Sequence, residues 1–284
     1  MDQNIEKKLP DIGYGTFPQK ESLNETIPTA INCGYRLIDT SDNYHNEEFV
    51  GGGLKNAGTI PDDLIVISKF SQPYRTKELS SCFEESKSKL NGVLNIYLLH
   101  WPYPFLWKQQ WRAMEELYLS GKCDGIGVCN FEKKKLEKLL KACRVKPIID
   151  QFECHPLFRQ KETADYCDSN GIRVMCYSPV ARMHEKLTTN KILIGLAKKY
   201  NKSIAQIVLR WDIDHGYIPI PGSASKTHMQ DNIDVLDFAL TDEEIKEIDS
   251  LDCGLRIRFD PDKRFGKKER FKFLLHRFGL YRKK

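Results

Sequence analysis

Short runs rich in β-branched and aromatic residues alternate along the chain with longer stretches whose apolar positions recur every three or four residues. That alternation is the pattern of repeated β–α units around a parallel sheet. Eight strands are expected, at 12–16, 35–39, 64–70, 94–100, 124–129, 147–151, 172–177 and 217–221. Helical patterns fall at 22–33, 46–57, 76–90, 107–120, 131–143, 159–169, 190–200, 203–214 and 227–235. Within 202–211, Ile204, Ile207, Val208 and Trp211 repeat at i, i+3, i+4, i+7 and give one apolar helix face. Thr241 followed by Glu244 is a capping box that opens a further helix at 242–251. No linker, repeat or low-complexity segment divides the alternation, so one domain is expected. Gly51-Gly52-Gly53 fall inside a helical pattern at a cost of about 1 kcal/mol each. They mark either close packing or a frayed turn.

Composition changes this picture little. With 284 residues, 40% hydrophobic and 29% charged, the chain is an ordinary globular one. No apolar run approaches the roughly 18 residues of a membrane span, and MDQNIEKKLP has no apolar core of a secretory signal. Nine scattered cysteines without a CxxC pair point to reduced thiols in a cytoplasmic protein, with neither a zinc site nor a disulfide framework. Charge is more informative. Residues 263–284 hold ten Lys/Arg against one Glu, +9 of the total +5, so the first 262 residues carry −4. The basic character belongs to a tail, which argues against a nucleic-acid-binding body.

Asp39, Tyr44, Lys69 and His100 each lie at or just after the end of an expected strand, where a parallel β/α barrel places its chemistry. Together they supply what reduction of a carbonyl by a nicotinamide requires. Tyr44 can give the proton, and a cation beside it favours the phenolate left behind. Lys69 fits that role, with Asp39 to hold it and His100 to donate a hydrogen bond to the carbonyl oxygen. Taken singly, each also reads as a structural polar residue: a cap, a half-buried ring, a solvated strand end, a core histidine.

The segments carrying these residues, GYRLIDTSDNYHNEE (34–48), VISKF (66–70) and YLLHWP (97–102), resemble the aldo-keto reductase family. GYGTF (13–17), GVCNF (127–131), IIDQFECHP (148–156) and CYSPV (176–180) are similar to further family segments in the same order, and the likeness extends over 9–251. It implies an α/β fold of the (β/α)8 TIM-barrel type over residues 1–262, with a short N-terminal segment and a basic C-terminal tail at 263–284. It also implies NADPH-dependent reduction of aldehydes and ketones, reversible, with Asp39, Tyr44, Lys69 and His100 as the tetrad. Asn130 and Gln151 are then expected on the nicotinamide carboxamide and Tyr177 against its ring, with Gly15, Thr16, Asp39, Cys129, Ser178 and Val180 also at the cofactor. Cys129 stands where the family usually has Ser, and a thiol is a weaker hydrogen-bond partner.

The resemblance places the adenosine phosphate on 218–235, where Gly222, Ser223, Ala224, Ser225, His228, Asp231 and Asn232 are the expected contacts. Gly222 replaces the family's Lys and His228 its Arg, so two fixed cations are lost from a site for a dianionic phosphate. Lys226 and a protonated His228 can restore part of that charge. NADP(H) is therefore expected ahead of NAD(H), which stays the alternative. Phe17, Tyr44, His100 and Trp101 are expected at the substrate, a hydrophobic small-molecule carbonyl compound, with Tyr103 and Phe105 as outer candidates in an aromatic, apolar mouth. In the tail, Phe271, Leu274, Leu275 and Phe278 follow helical spacing among cations. This amphipathic helix is expected to cover its own barrel, ahead of a membrane-surface contact or a partner protein. The chain is expected to act as a monomer and to bind no nucleic acid. The competing reading is a nucleotide-binding regulatory or scaffold protein on the same barrel.

Overall fold

The structure, a computed structural model, describes residues 5–280. Eight parallel strands lie in sequential order: β1 (Tyr14–Gly15), β2 (Leu37–Asp39), β3 (Ile65–Phe70), β4 (Ile96–Leu99), β5 (Gly125–Cys129), β6 (Ile149–Glu153), β7 (Arg173–Tyr177) and β8 (Ile218–Pro219). They alternate with α1 (Leu23–Asn32), α2 (Glu47–Asn56), α3 (Leu79–Lys89), α4 (Trp107–Leu119), α5 (Lys133–Leu140), α6 (Lys161–Ser169), α7 (Glu185–Thr188), α8 (Lys191–Tyr200), α9 (Ile204–Asp214) and α10 (Lys226–Ile233). α11 (Asp242–Asp249) and α12 (Lys267–Arg277) follow. The architecture is the expected single-domain (β/α)8 barrel.

The barrel closes through an asymmetric seam. Gly13 and Gly15 donate their N–H groups to the carbonyls of Pro219 (3.0 Å) and Pro221 (3.1 Å). The two prolines have no N–H to return, so the seam carries half a ladder, and the strands flanking it are short. Close backbone approach there requires glycine: a Cβ on Gly15 would meet the Ile220 carbonyl at 2.7 Å, and one on Gly222 the Gly15 carbonyl at 2.5 Å.

Two apolar layers follow from the strand period of two. Ile38, Val66, Tyr97, Val128 and Phe152 point outward into the layer shared with the helices. Leu37, Ile65, Ile67, Ile96, Leu98, Ile149, Met175 and Ile218 point into the barrel, and Ile5 and Leu9 belong to the same cluster. The glycine triplet in α2 marks close packing. A Cβ on Gly51 would overlap the Lys89 carbonyl, and one on Gly53 that of Leu23 in α1. α9 buries Ile207, Val208 and Trp211 as its pattern predicts, and capping boxes begin both α9 (Ser203, Gln206) and α11 (Thr241, Glu244).

The tail packs onto the body by a different face from the expected one. Phe273 is the buried anchor of α12, set against Tyr74, Tyr103 and Phe265. Phe271 and Phe278, two of the four residues of the apolar stripe, are 59% and 66% exposed. The stripe and the anchor lie on opposite sides of the helix, because the receiving pocket is built by aromatic residues that local periodicity does not reveal. The final four residues of the expected tail lie outside the described ones.

Candidate active site

The inward parity of the strands delivers the site. Asp39 follows Leu37 in β2, Lys69 follows Ile65 and Ile67 in β3, His100 extends Ile96 and Leu98 of β4, Gln151 follows Ile149 in β6, and Tyr177 follows Met175 in β7. Each is the next inward position beyond an apolar layer, so polar groups gather at the carboxyl ends of the strands. Tyr44 comes from the short 3₁₀ turn Asp42–Tyr44, whose cap is the Ser41 hydroxyl accepting from Asn43 N–H at 3.3 Å.

Lys69 is completely buried, and its ammonium makes three contacts. It donates to Asp39 Oδ2 at 2.6 Å, to the Thr40 carbonyl at 2.8 Å and to Tyr44 Oη at 3.2 Å. Burial works against its charge, but Asp39 and the other neighbouring acids outweigh this and hold the amine protonated above its ordinary range. Asp39 is braced in turn by Gln151, whose Nε2 donates to Oδ1 at 2.8 Å. Since Lys69 supplies the hydrogen in its bond to the phenol oxygen, the hydroxyl hydrogen of Tyr44 is free to point elsewhere. Burial pushes the phenol up to about 12, with Lys69 pulling it down and Asp39 pushing it up, so Tyr44 is a protonated donor.

His100 is held by two residues that the sequence motifs did not single out. Its Nδ1 lies 2.6 Å from Ser71 Oγ and 3.0 Å from Ser41 Oγ. Burial, then Lys69, then Arg264 drive the imidazole well below its usual range, so it is neutral. With Nδ1 engaged by hydroxyls, Nε2 is the nitrogen left to face the cavity. Its carbonyl accepts from Asn130 Nδ2 at 3.1 Å, and Asn130 Oδ1 accepts from the Tyr177 hydroxyl at 2.8 Å. The tetrad and the three expected nicotinamide contacts thus form one connected network.

A cavity of about 700 Å³ opens over this network. It is bordered by Gly15, Phe17, Asp39, Tyr44, His100, Trp101, Asn130, Gln151, Tyr177, Ser178 and Val180, by Gly222 and Ser223 of the loop after β8, and by His228, Asp231 and Asn232 of α10. Thr16, Cys129, Ala224 and Ser225 are not among the bordering residues. Thr16 is buried beside Asn46, and Ser225 caps α10 by accepting from His228 N–H at 3.4 Å. Cys129 sits in the barrel's interior cluster, where burial raises its thiol well above the usual range and leaves it neutral and unreactive. Of the outer aromatic candidates, Tyr103 is buried beneath Phe265 and donates to the Ser71 carbonyl at 3.0 Å, and Phe105 faces solvent. Neither borders the cavity. The sequence motifs also missed Arg182, Met183, Ser203, Ala205, Arg258, Phe259 and Arg264, all of which do. They come from a 3₁₀ turn after β7, the start of α9 and the segment after α11, which only the closed fold brings to the cavity.

A buried lysine–carboxylate pair touching a phenol, a neutral imidazole beside it and a long cleft lined by amide and aromatic groups define an oxidoreductase site on a β/α barrel. The aldo/keto reductase family model matches residues 11–252, and the chain belongs to this family. It is 40% identical over 261 residues to a glyoxal reductase of Bacillus subtilis, covering 90% of this chain and 93% of that protein. It is 35% identical over 257 residues to methylglyoxal reductase DkgA of Escherichia coli K12, covering 89% and 94%. Among solved structures it is similar to an aldo-keto reductase from a deep-sea metagenome (TM-score 0.86, 32% identity, 91% and 97% covered). It is also similar to a Bombyx mori aldo-keto reductase in complex with NADP (TM-score 0.83, 30% identity, 92% and 95% covered).

Proposed function

We propose that this chain reduces an aldehyde or ketone to the alcohol, reversibly, with NADP(H), and that Asp39, Tyr44, Lys69 and His100 carry the chemistry. The observation that carries this is the direction of one hydrogen bond: Lys69 donates to Tyr44 Oη, which leaves the phenol hydrogen for the substrate oxygen. His100, neutral and bonded at Nδ1, offers Nε2–H to the same oxygen and aligns it. As the proton leaves, Lys69 stabilises the phenolate, and Asp39 with Gln151 keeps the ammonium in place. A bound nicotinamide supplies the hydride in reduction and accepts it in oxidation.

The residues present fit such a cofactor. Asn130 and Gln151 present amides to a carboxamide, Tyr177 a flat ring to the nicotinamide, and the loop after β8 a backbone edge to the phosphates. His228 and Arg182 border the cavity and Lys226 opens α10, which supports the 2′-phosphorylated nucleotide over NAD(H). Gly222 cannot contribute, for the steric reason given above. We read residues 1–262 as the catalytic barrel, 263–284 as a tail docked on it, and the protein as a cytoplasmic monomer. Nothing favours the alternative of a purely regulatory nucleotide-binding barrel once the tetrad is complete.

The test is Tyr44→Phe assayed with a panel of aldehydes and ketones. NADPH binding is expected to persist while reduction falls by about 10³-fold or more. Unchanged kcat would remove Tyr44 from the mechanism. Absence of wild-type turnover with either nicotinamide would remove the reductase reading altogether.

A further inference from the structure

Two guanidinium groups, of Arg258 and Arg264, border the cavity beside the expected substrate residues and pair with no carboxylate among the described residues. Each is separated from a catalytic residue by one aromatic ring. On one wall the Tyr44 ring packs on Phe17 at 5.0 Å, and Arg258 lies 5.2 Å over the Phe17 ring. On the other, His100 stacks on Trp101 at 5.6 Å, and Arg264 lies 4.1 Å over the Trp101 ring. Both arginines border the cavity.

Their neighbours show that this is not a general shortage of acids in the C-terminal strap. Arg256 pairs with Glu132 at 2.9 Å, Lys263 with Asp260 at 3.3 Å, and Lys135 reaches across to Asp262. Arg270 donates to the Phe265 carbonyl at 3.0 Å. Among the described residues of this strap (252–277), Arg258, Arg264 and Arg277 form neither an ion pair nor a side-chain hydrogen bond, and of these three Arg258 and Arg264 border the cavity.

The strap is also built to hold them. Glu153, fully buried at the end of β6, accepts the backbone N–H groups of Ile257 and Arg258, the latter at 2.9 Å. The Leu157 carbonyl accepts from Leu255 N–H at 3.0 Å, and Arg264 N–H is fixed on the Asp260 carbonyl at 2.8 Å. Phe17 covers a face of the Arg258 guanidinium, and Trp101, Phe259 and Phe265 lie against that of Arg264 at 4.1, 4.8 and 5.8 Å, so ring contacts take up the faces and leave the N–H edges for a ligand. A partly desolvated fork of this kind recognises a carboxylate or phosphate oxygen pair.

We propose that Arg258 and Arg264 form an anion subsite, and that the substrates are carbonyl compounds carrying a carboxylate or phosphate about one aromatic ring away from the reacting carbonyl. This rests on the reductase reading above and narrows its substrate class. The expected aromatic, apolar mouth is thus cationic at its outer edge.

The test compares kcat/KM for 4-carboxybenzaldehyde, 4-formylphenyl phosphate and the neutral methyl 4-formylbenzoate, all with NADPH. The wild type is expected to prefer at least one anionic probe over the ester by about tenfold or more, with a preference that shrinks as salt rises. Whichever anion is preferred identifies the head group. In Arg258→Met and Arg264→Met, singly and together, the preference ratio is expected to fall toward one, while Arg258→Lys keeps part of it. Far-UV circular dichroism and the melting temperature report whether each variant is folded, and NADPH affinity is read separately by quenching of protein fluorescence. Turnover of the ester with anion-to-ester ratios within about threefold of one in the wild type overturns the subsite and leaves the reductase reading intact. Loss of NADPH affinity in folded Arg variants, with the ratio kept, assigns the arginines to the cofactor and overturns it equally.

Discussion

Replacing Lys69 by Met removes the one cation, among the described residues, in contact with Tyr44, the proposed proton donor, and keeps the side chain's length. Lys69 Nζ lies 3.2 Å from Tyr44 Oη, and two unit charges at that distance attract by roughly 5 kcal/mol at an effective dielectric near 20. Tyr44 is neutral in the ground state and anionic after proton transfer, so the attraction is absent at the start and partial in the transition state. About half the charge at that point makes Lys69 worth roughly 2–3 kcal/mol, and the lost hydrogen bond to the developing phenolate adds about 1–2 kcal/mol. A reduction rate lower by about 10²–10³-fold is expected.

The same substitution also strands Asp39, whose other partner is the neutral amide of Gln151, and breaking a buried pair from one side costs about 3–5 kcal/mol of stability. The double variant Lys69→Met/Asp39→Asn separates the two effects. It removes the unpaired charge, so urea unfolding should recover most of the stability while single-turnover reduction stays slow. If Lys69→Met reduces within about threefold of wild type, or if the double variant regains the rate along with the stability, the electrostatic role assigned to Lys69 is wrong.

Gly222→Lys restores the family's cation in sequence but not in space, since its Cβ would meet the Gly15 carbonyl at 2.5 Å. Weaker or unchanged NADPH affinity and a lower melting temperature are expected, and tighter binding without destabilisation would contradict the steric account. Asp150 and Asp212 are fully buried on the helix side of the sheet, and desolvation raises both carboxyls well above the ordinary range. A raised carboxyl costs nothing below its unfolded value near 3.9, and stability is lost as pH climbs from there toward the folded value. Asp150→Asn and Asp212→Asn should therefore raise the melting temperature more at pH 8 than at pH 4.5, and an equal shift at both would show that the carboxyls are not the titrating groups.

Most of the barrel was legible because β-branched runs and amphipathic stretches obey periods set by backbone geometry alone. The tetrad was legible for a related reason. Asp39, Lys69 and His100 occupy the inward parity of their strands beyond Leu37, Ile67 and Leu98, so strand alternation already places them together at one end. What escaped were features decided by chain closure. Ser41 and Ser71 belong to no pattern along the chain, and only the pairing of β2 with β3 brings both hydroxyls to His100 Nδ1. Helical spacing picked Phe271 for the apolar stripe and passed over Phe273, which Tyr74, Tyr103 and Phe265 make the buried anchor.

Gly222 shows how such a feature can alter the meaning of a motif. Read along the chain, it is a missing phosphate ligand. In the barrel it is half of a glycine contact with Gly15, at the seam where Pro219 and Pro221 offer only acceptors and the strands must come close to share them. A side chain at 222 and the present closure compete for the same space. The lost cation and the tight seam are therefore one structural choice, and Lys226, His228 and Arg182, none of them held in the seam, are the groups proposed to meet a phosphate in its place.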